Sequence, residues 1–170
     1  MSRRATFLLA VLAVVTTAQG AARGPSTPEE RARVVQLAVA SDADPLKAMA
    51  ADGRWFEKWL DEVPDISFGP EAPARWMEAN AKGDLGRVAV FKYQVSAIAY
   101  MIQHQIVDPR KAPEQLVAVH TAALEGVVRA YRALRDLKPE NRSPQFDEAL
   151  EKLDKGAFPA FVKSLFGAPR

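Results

Sequence analysis

Prolines stand where helices begin. Thr27-Pro28-Glu29-Glu30, Asp44-Pro45 and Ser143-Pro144 each place a side-chain acceptor directly before a proline. That is the arrangement of an N-cap followed by the first helical position, where a missing N–H costs nothing and φ is already set. The first of the three is a capping box, in which the threonine oxygen and the glutamate three residues on each satisfy an orphan amide. Pro113 opens a further helix and Pro73 a short one. A chain punctuated in this way is committed to helices joined by short corners.

The segments between the prolines keep a helical period, and none sustains the alternation of a strand between turn signals. The expected helices cover 28–40, burying Val34, Val35 and Ala38; 45–64, with a kink or split at Gly53; a short piece from Pro73 that carries Trp76 and Met77 and stops near Gly83; 85–107; 113–137; and 144–156, capped by Ser143. A last amphipathic piece, FPAFVKSLF, follows, and 65–72 is a loop. The two longest helices are joined by the short turn DPRKA and should pack antiparallel. The fold class is all-α: a single-domain bundle of five to seven helices around two long central helices packed antiparallel.

The run GRWFEKWLDEVPDI, residues 53–66, combines aromatic and acidic residues in a way that a ligand site would also do. At about 100° per residue, however, Trp55, Phe56, Trp59, Leu60 and Val63 share one face. Arg54, Glu57, Lys58, Asp61 and Glu62 share the other. A pocket would need the two sets to converge, so the aromatics read as core anchors and the acids as a solvated face.

The first twenty residues read as a cleaved signal peptide. Arg3 and Arg4 precede an uncharged apolar run over 5–15, too short to span a bilayer and of secretory length. Ala18 and Gly20 are the small residues of a cleavage site, placed after Gly20 or within the next two residues. The general secretory and twin-arginine routes both remain open. The mature domain, 21–170, is expected in the periplasm or outside the cell. Of 23 basic residues, removing Arg3 and Arg4 leaves 21, against 21 acidic ones, so the mature chain has no basic excess with which to bind nucleic acid. With no cysteine, a lipid-anchored N-terminus, covalent haem attachment, a thiolate catalyst and a zinc–thiolate site are all excluded. No transmembrane anchor is expected once the leader is gone.

WLDEVPDIS, residues 59–67, and LEGVVRAYRALRDLKPENRS, residues 124–143, resemble a group of small secreted bacterial proteins with no assigned activity. The likeness covers about two-thirds of the mature chain. It implies a shared helical fold and a periplasmic or secreted setting, and it implies no reaction, cofactor or functional residue.

Candidate chemistry is sparse. His104 lies opposite the apolar stripe Val88, Phe91, Val95, Ile98, Ile102 and Ile106 and should be exposed. His120 lies at the centre of the stripe Leu116, Leu124, Val127, Tyr131 and Leu134. A buried histidine there is either a haem or metal ligand, opposite Met49, Met77 or Met101, or a core residue bonded to a carbonyl or to Tyr93, Tyr100 or Tyr131. Arg129, Arg132, Arg135, Lys138 and Arg142 form a basic ridge. It is either a surface for an anionic envelope component or an acidic protein partner, or a solvated face with Glu125–Arg129 and Arg132–Asp136 ion pairs. Acid pairs such as Asp147/Glu148 and Glu151/Asp154 read as solvated surface. No nucleophile elbow, H-E-x-x-H or phosphate loop occurs, so no catalytic residue and no cofactor is predicted. Two functions fit: a non-enzymatic binding or structural module of the cell envelope, or a haem- or metal-binding bundle using His120.

Overall fold

A computed structural model describes residues 23–167. The expected signal peptide, residues 1–20, and its cleavage site lie outside that range. Seven α-helices follow in order: α1 (Pro28–Ala43), α2 (Pro45–Glu62), α3 (Ala72–Asn80), α4 (Gly83–Gln103), α5 (Pro113–Leu134), α6 (Pro144–Asp154) and α7 (Phe158–Phe166). Single 3-10 turns at Pro109–Lys111 and Pro139–Asn141 lead into α5 and α6. There is no strand among the described residues.

The proline-led starts are where the sequence puts them. Thr27 Oγ1 accepts from the Glu30 amide at 3.3 Å, and Glu30 Oε2 accepts from the Thr27 amide at 2.9 Å, completing the capping box. Asp44 closes α1 and, by accepting from the Lys47 amide at 3.0 Å, opens α2. The two helices therefore meet at a corner of one residue.

Other boundaries differ from expectation for local reasons. The α2 helix runs unbroken through Gly53, which is buried beside Met49. Gly83 starts α4 rather than stopping α3: its φ is +55°, and a Cβ there would sit 2.4 Å from Asn141 Oδ1. That oxygen caps α4 by accepting from the Asp84 amide at 2.8 Å. The same helix ends at Gln103, ahead of 107, where Gln105 takes a left-handed conformation and the Ile106 amide turns back to the Met101 carbonyl at 2.9 Å. In α1 the fully buried positions are Val34, Leu37 and Ser41, with Val35 and Ala38 half-buried and the helix continuing to Ala43. Ser143 stands at the α6 N-cap but makes no side-chain cap bond: its hydroxyl donates to Gln145 Oε1 at 3.3 Å, and its backbone N–H and C=O hold the Tyr131 hydroxyl.

The architecture has α4 at its centre. Its most extensive packing is against α5, and α1, α2 and α3 also pack on it, so it is buried on nearly every side. The pair is antiparallel: the start of α4 meets Asn141 beyond the end of α5, and Ser96 faces Gly126. The α7 helix returns across α5, α3 and α6 to close the bundle. Phe56 and Trp59 of α2 are buried and Trp55 is half-buried, while Arg54, Glu57, Lys58, Asp61 and Glu62 face solvent. The opening ambiguity of 53–66 is thus settled in favour of a core face. No helix of the described residues is long and apolar enough to cross a membrane.

Candidate functional site

A helix that is apolar on all sides belongs in the middle of a bundle, and α4 is one. From residue 88 to residue 103 its single charge is Lys92. Burial of the helix therefore buries the lysine, which is 0 % exposed. Its ammonium donates to the Ala38 carbonyl at 3.0 Å and to Ser41 Oγ at 2.8 Å. It also lies 2.5 Å from Asp42 Oδ1, an ion pair without hydrogen-bond alignment. All three partners sit in the last turn of α1, which carries no basic residue of its own. Lys92 thus supplies, from the neighbouring helix, the cation that the carbonyl end of a helix favours. Burial pushes its pKa down, the Asp42 carboxylate pulls it back up, and Arg129 lowers it further.

Beside this lysine a pocket of about 220 Å³ opens between α1, α4 and α5. Asp42, Ser96, Tyr100, Gln103, Glu125 and Arg129 provide its polar groups, and Val35, Ala38, Ala99 and Ala122 provide apolar wall. Arg129 spans two acids, with Nε donating to Asp42 Oδ2 at 3.1 Å and Nη1 lying 3.7 Å from Glu125 Oε2. Burial pushes the Glu125 carboxyl up, and Arg129 at that longer distance opposes it in part. Ser96 is 6 % exposed and its hydroxyl has no hydrogen-bond partner. It is pressed against Gly126, where a Cβ would stand 2.0 Å from Ser96 Oγ, so glycine is what allows α5 to approach α4 here. The pocket therefore holds charges of both signs, one of them incompletely compensated, while the orphan Ser96 hydroxyl is sealed within its wall against Gly126.

His120 is 1 % exposed. Its Nδ1 is hydrogen-bonded to Tyr93 Oη at 2.6 Å. The rings of Phe68 and Phe166 pack on it with centroids at 5.2 and 5.8 Å. Burial brings its pKa down to about 4, holding it neutral, and pushes the Tyr93 phenol up. Among the described residues no three His, Cys, Asp or Glu side chains gather to hold a metal ion. His104 is exposed and stacks on Tyr100 at 3.9 Å between centroids.

Each residue of the basic ridge has an acidic partner. Arg129 pairs with Asp42 and Glu125, and Arg132 with Asp154. Arg135 pairs with Asp136 and Asp147, Lys138 with Asp84 at 3.0 Å, and Arg142 with Asp136. The Glu125–Arg129 pair forms as its spacing predicts. The Arg132–Asp136 pair does not, because Arg132 turns to Asp154 on α6 and Asp136 serves Arg135 and Arg142. Lys138, at the head of α4, also holds the Asp84 carboxyl below its usual range.

A wider concavity, about 880 Å³, is an open groove between α1 and α2. Alanines make up much of its walls, and its Arg33 is engaged by Asp52 and by the face of Trp55 at 3.8 Å. Its Glu29 and Lys47 form no ion pair among the described residues but are exposed to water, unlike the half-buried Glu125 of the smaller pocket. Of the residues in and behind that smaller pocket, sequence reasoning singles out Arg129 and Glu125 and misses Lys92, Asp42 and Ser96. The available signal was the lone charge in the apolar run of α4. Searches of family models, of curated proteins and of solved structures find no match to the chain.

Proposed function

We propose that the chain is a non-enzymatic helical module of the cell envelope, exported to the periplasm or beyond, that works by binding a small polar ligand in the α1–α4–α5 pocket. The observation that carries this reading is Glu125, whose half-buried carboxylate lines an open pocket and lies 3.7 Å from Arg129, its one ion-pair partner among the described residues. A half-buried charge without a hydrogen-bonded partner is costly, and a ligand donor offsets that cost when it binds. Elsewhere the polar residues with chemical potential are engaged internally, His120 by Tyr93 and the ridge cations by acids. The leader-like segment 1–20 supports the envelope setting.

The test is a thermal-melt screen of small polar molecules against the wild type and against Ala122→Phe, which fills the pocket wall. A ligand of the pocket raises the melting temperature of the wild type as the logarithm of one plus its concentration over Kd and leaves the variant unmoved. Equal shifts in both proteins, or haem bands in the visible spectrum of the purified protein, would contradict the reading.

A further inference from the structure

We infer that the α1–α4–α5 pocket takes a small zwitterion, a molecule of amino-acid size carrying one ammonium and one carboxylate; this rests on the binding reading above and specifies its ligand.

Charge balance is the first argument. Lys92 is matched by Asp42 and Arg129 by Glu125, so the site is neutral as a whole. A ligand of net charge would bring an unmatched charge into a half-buried space, which is costly, whereas a zwitterion adds none. Placement is the second. Glu125 lies 3.7 Å from its only cationic partner, beyond hydrogen-bond reach, and burial disfavours its charge. A ligand ammonium placed there donates to the Glu125 carboxylate, which has no hydrogen-bonded cation of its own among the described residues. Arg129 commits Nε to Asp42 and turns Nη1 toward Glu125. The remaining edge of its guanidinium offers the planar donor geometry that suits a ligand carboxylate. The ammonium and carboxylate of an α-amino acid are separated by a single carbon, and Glu125 and Arg129 are neighbours one helical turn apart on α5.

Size is the third argument. About 220 Å³ is the space of roughly seven waters at liquid density, which suits an amino acid. Ala38, Ala99, Ala122 and Val35 make the remaining wall apolar, so an aliphatic side chain gains more there than a charged one.

Isothermal titration of the purified protein with glycine, L-alanine, L-valine and L-leucine tests the inference. Isobutylamine and 3-methylbutanoate serve as single-charge analogues. The expected result is binding of at least one amino acid, with each single-charge analogue weaker by roughly tenfold or more, the worth of one charged hydrogen bond. Glu125→Gln should weaken the amino acid by a similar factor while the amine-free analogue is unaffected. Circular dichroism verifies that the variant is folded. An amine or acid that binds as tightly as the amino acid overturns the zwitterion and leaves the binding reading intact, as does failure of every amino acid when another polar molecule passes the Ala122→Phe criterion. Failure of the amino acids together with every molecule in that screen overturns both.

Discussion

Trp59 on α2 and Lys92 on α4 are both sealed from solvent, at 2 % and 0 % exposure, but they are held by different physics. Trp59 sits in an aromatic cluster, with Phe56 and Trp55 at 6.1 and 6.0 Å and Phe91 of α4 crossing Phe56 edge-on. Its burial is non-directional, and several neighbouring shapes would serve. Lys92 is held by three particular atoms in one turn of α1, and without them its charge has no place in the interior. The aromatic face glues α2 to the core. The lysine fixes where the end of α1 stops against α4, and beside that end the pocket opens. A side chain that needs particular partners specifies position, and position is what a binding site needs.

Truncation at the two sites separates these roles. Trp59→Ala should lose about 3–5 kcal/mol in urea melts, the range for emptying a large aromatic core site. Glu57→Ala, two residues away on the solvent face, should move stability by no more than about 0.5 kcal/mol. Equal losses would mean that the two faces of α2 are not distinct.

The buried histidine gives a second comparison, between a polar group held neutral and one held charged. His120 has a folded pKa of about 4 against an ordinary 6.5, so between those values the unfolded chain binds more protons than the folded one. Its contribution is complete above pH 6.5 and is lost as pH falls toward 4. The slope approaches 1.4 kcal/mol per unit and the total is about 3 kcal/mol. Subtracting the pH profile of His120→Asn from that of the wild type isolates it. A flat difference over this window would show that the ring is hydrated.

Lys92→Met keeps the volume of the side chain and removes its charge, leaving Asp42, Ser41 and the Ala38 carbonyl without their cation. Because Asp42 is one-third exposed and keeps Arg129, the loss should fall at the low end of the range for a broken buried pair, about 3 kcal/mol. Hydrogen exchange should rise at the end of α1 and remain unchanged at Trp59. Protection lost equally at both sites would contradict a local role.

The same contrast explains what could be read from the sequence. Helix starts are local, since a capping residue and a proline are satisfied within one turn, and the all-α bundle, its antiparallel central pair and the aromatic face of α2 follow from caps and period. Helix ends were less legible. That of α3 depends on Gly83 being claimed by Asn141, fifty-odd residues on in the chain and set by tertiary packing. The pocket was legible only on one side. Glu125 and Arg129 are neighbours on one helix, whereas Lys92, Ser41 and Asp42 meet only when α1 lies against α4. The ridge was legible as a row of cations, and Glu125 and Asp136 lie on the same stretch, but its other acidic partners, Asp42, Asp84, Asp147 and Asp154, come from other helices.

The central claim is that the seam between α1, α4 and α5 has a structural half at Lys92 and a binding half at Glu125. Urea melts of Glu125→Gln at neutral pH, run beside Lys92→Met, test it most directly. Burial raises the Glu125 pKa in the folded state, so its charge opposes folding once pH rises past the ordinary carboxylate range, and removing the charge relieves the opposition. The account predicts that Glu125→Gln holds the wild-type stability to within about 0.5 kcal/mol or exceeds it, while Lys92→Met falls well below. A loss in Glu125→Gln as large as that in Lys92→Met would place the acid in the structural knot and contradict the claim.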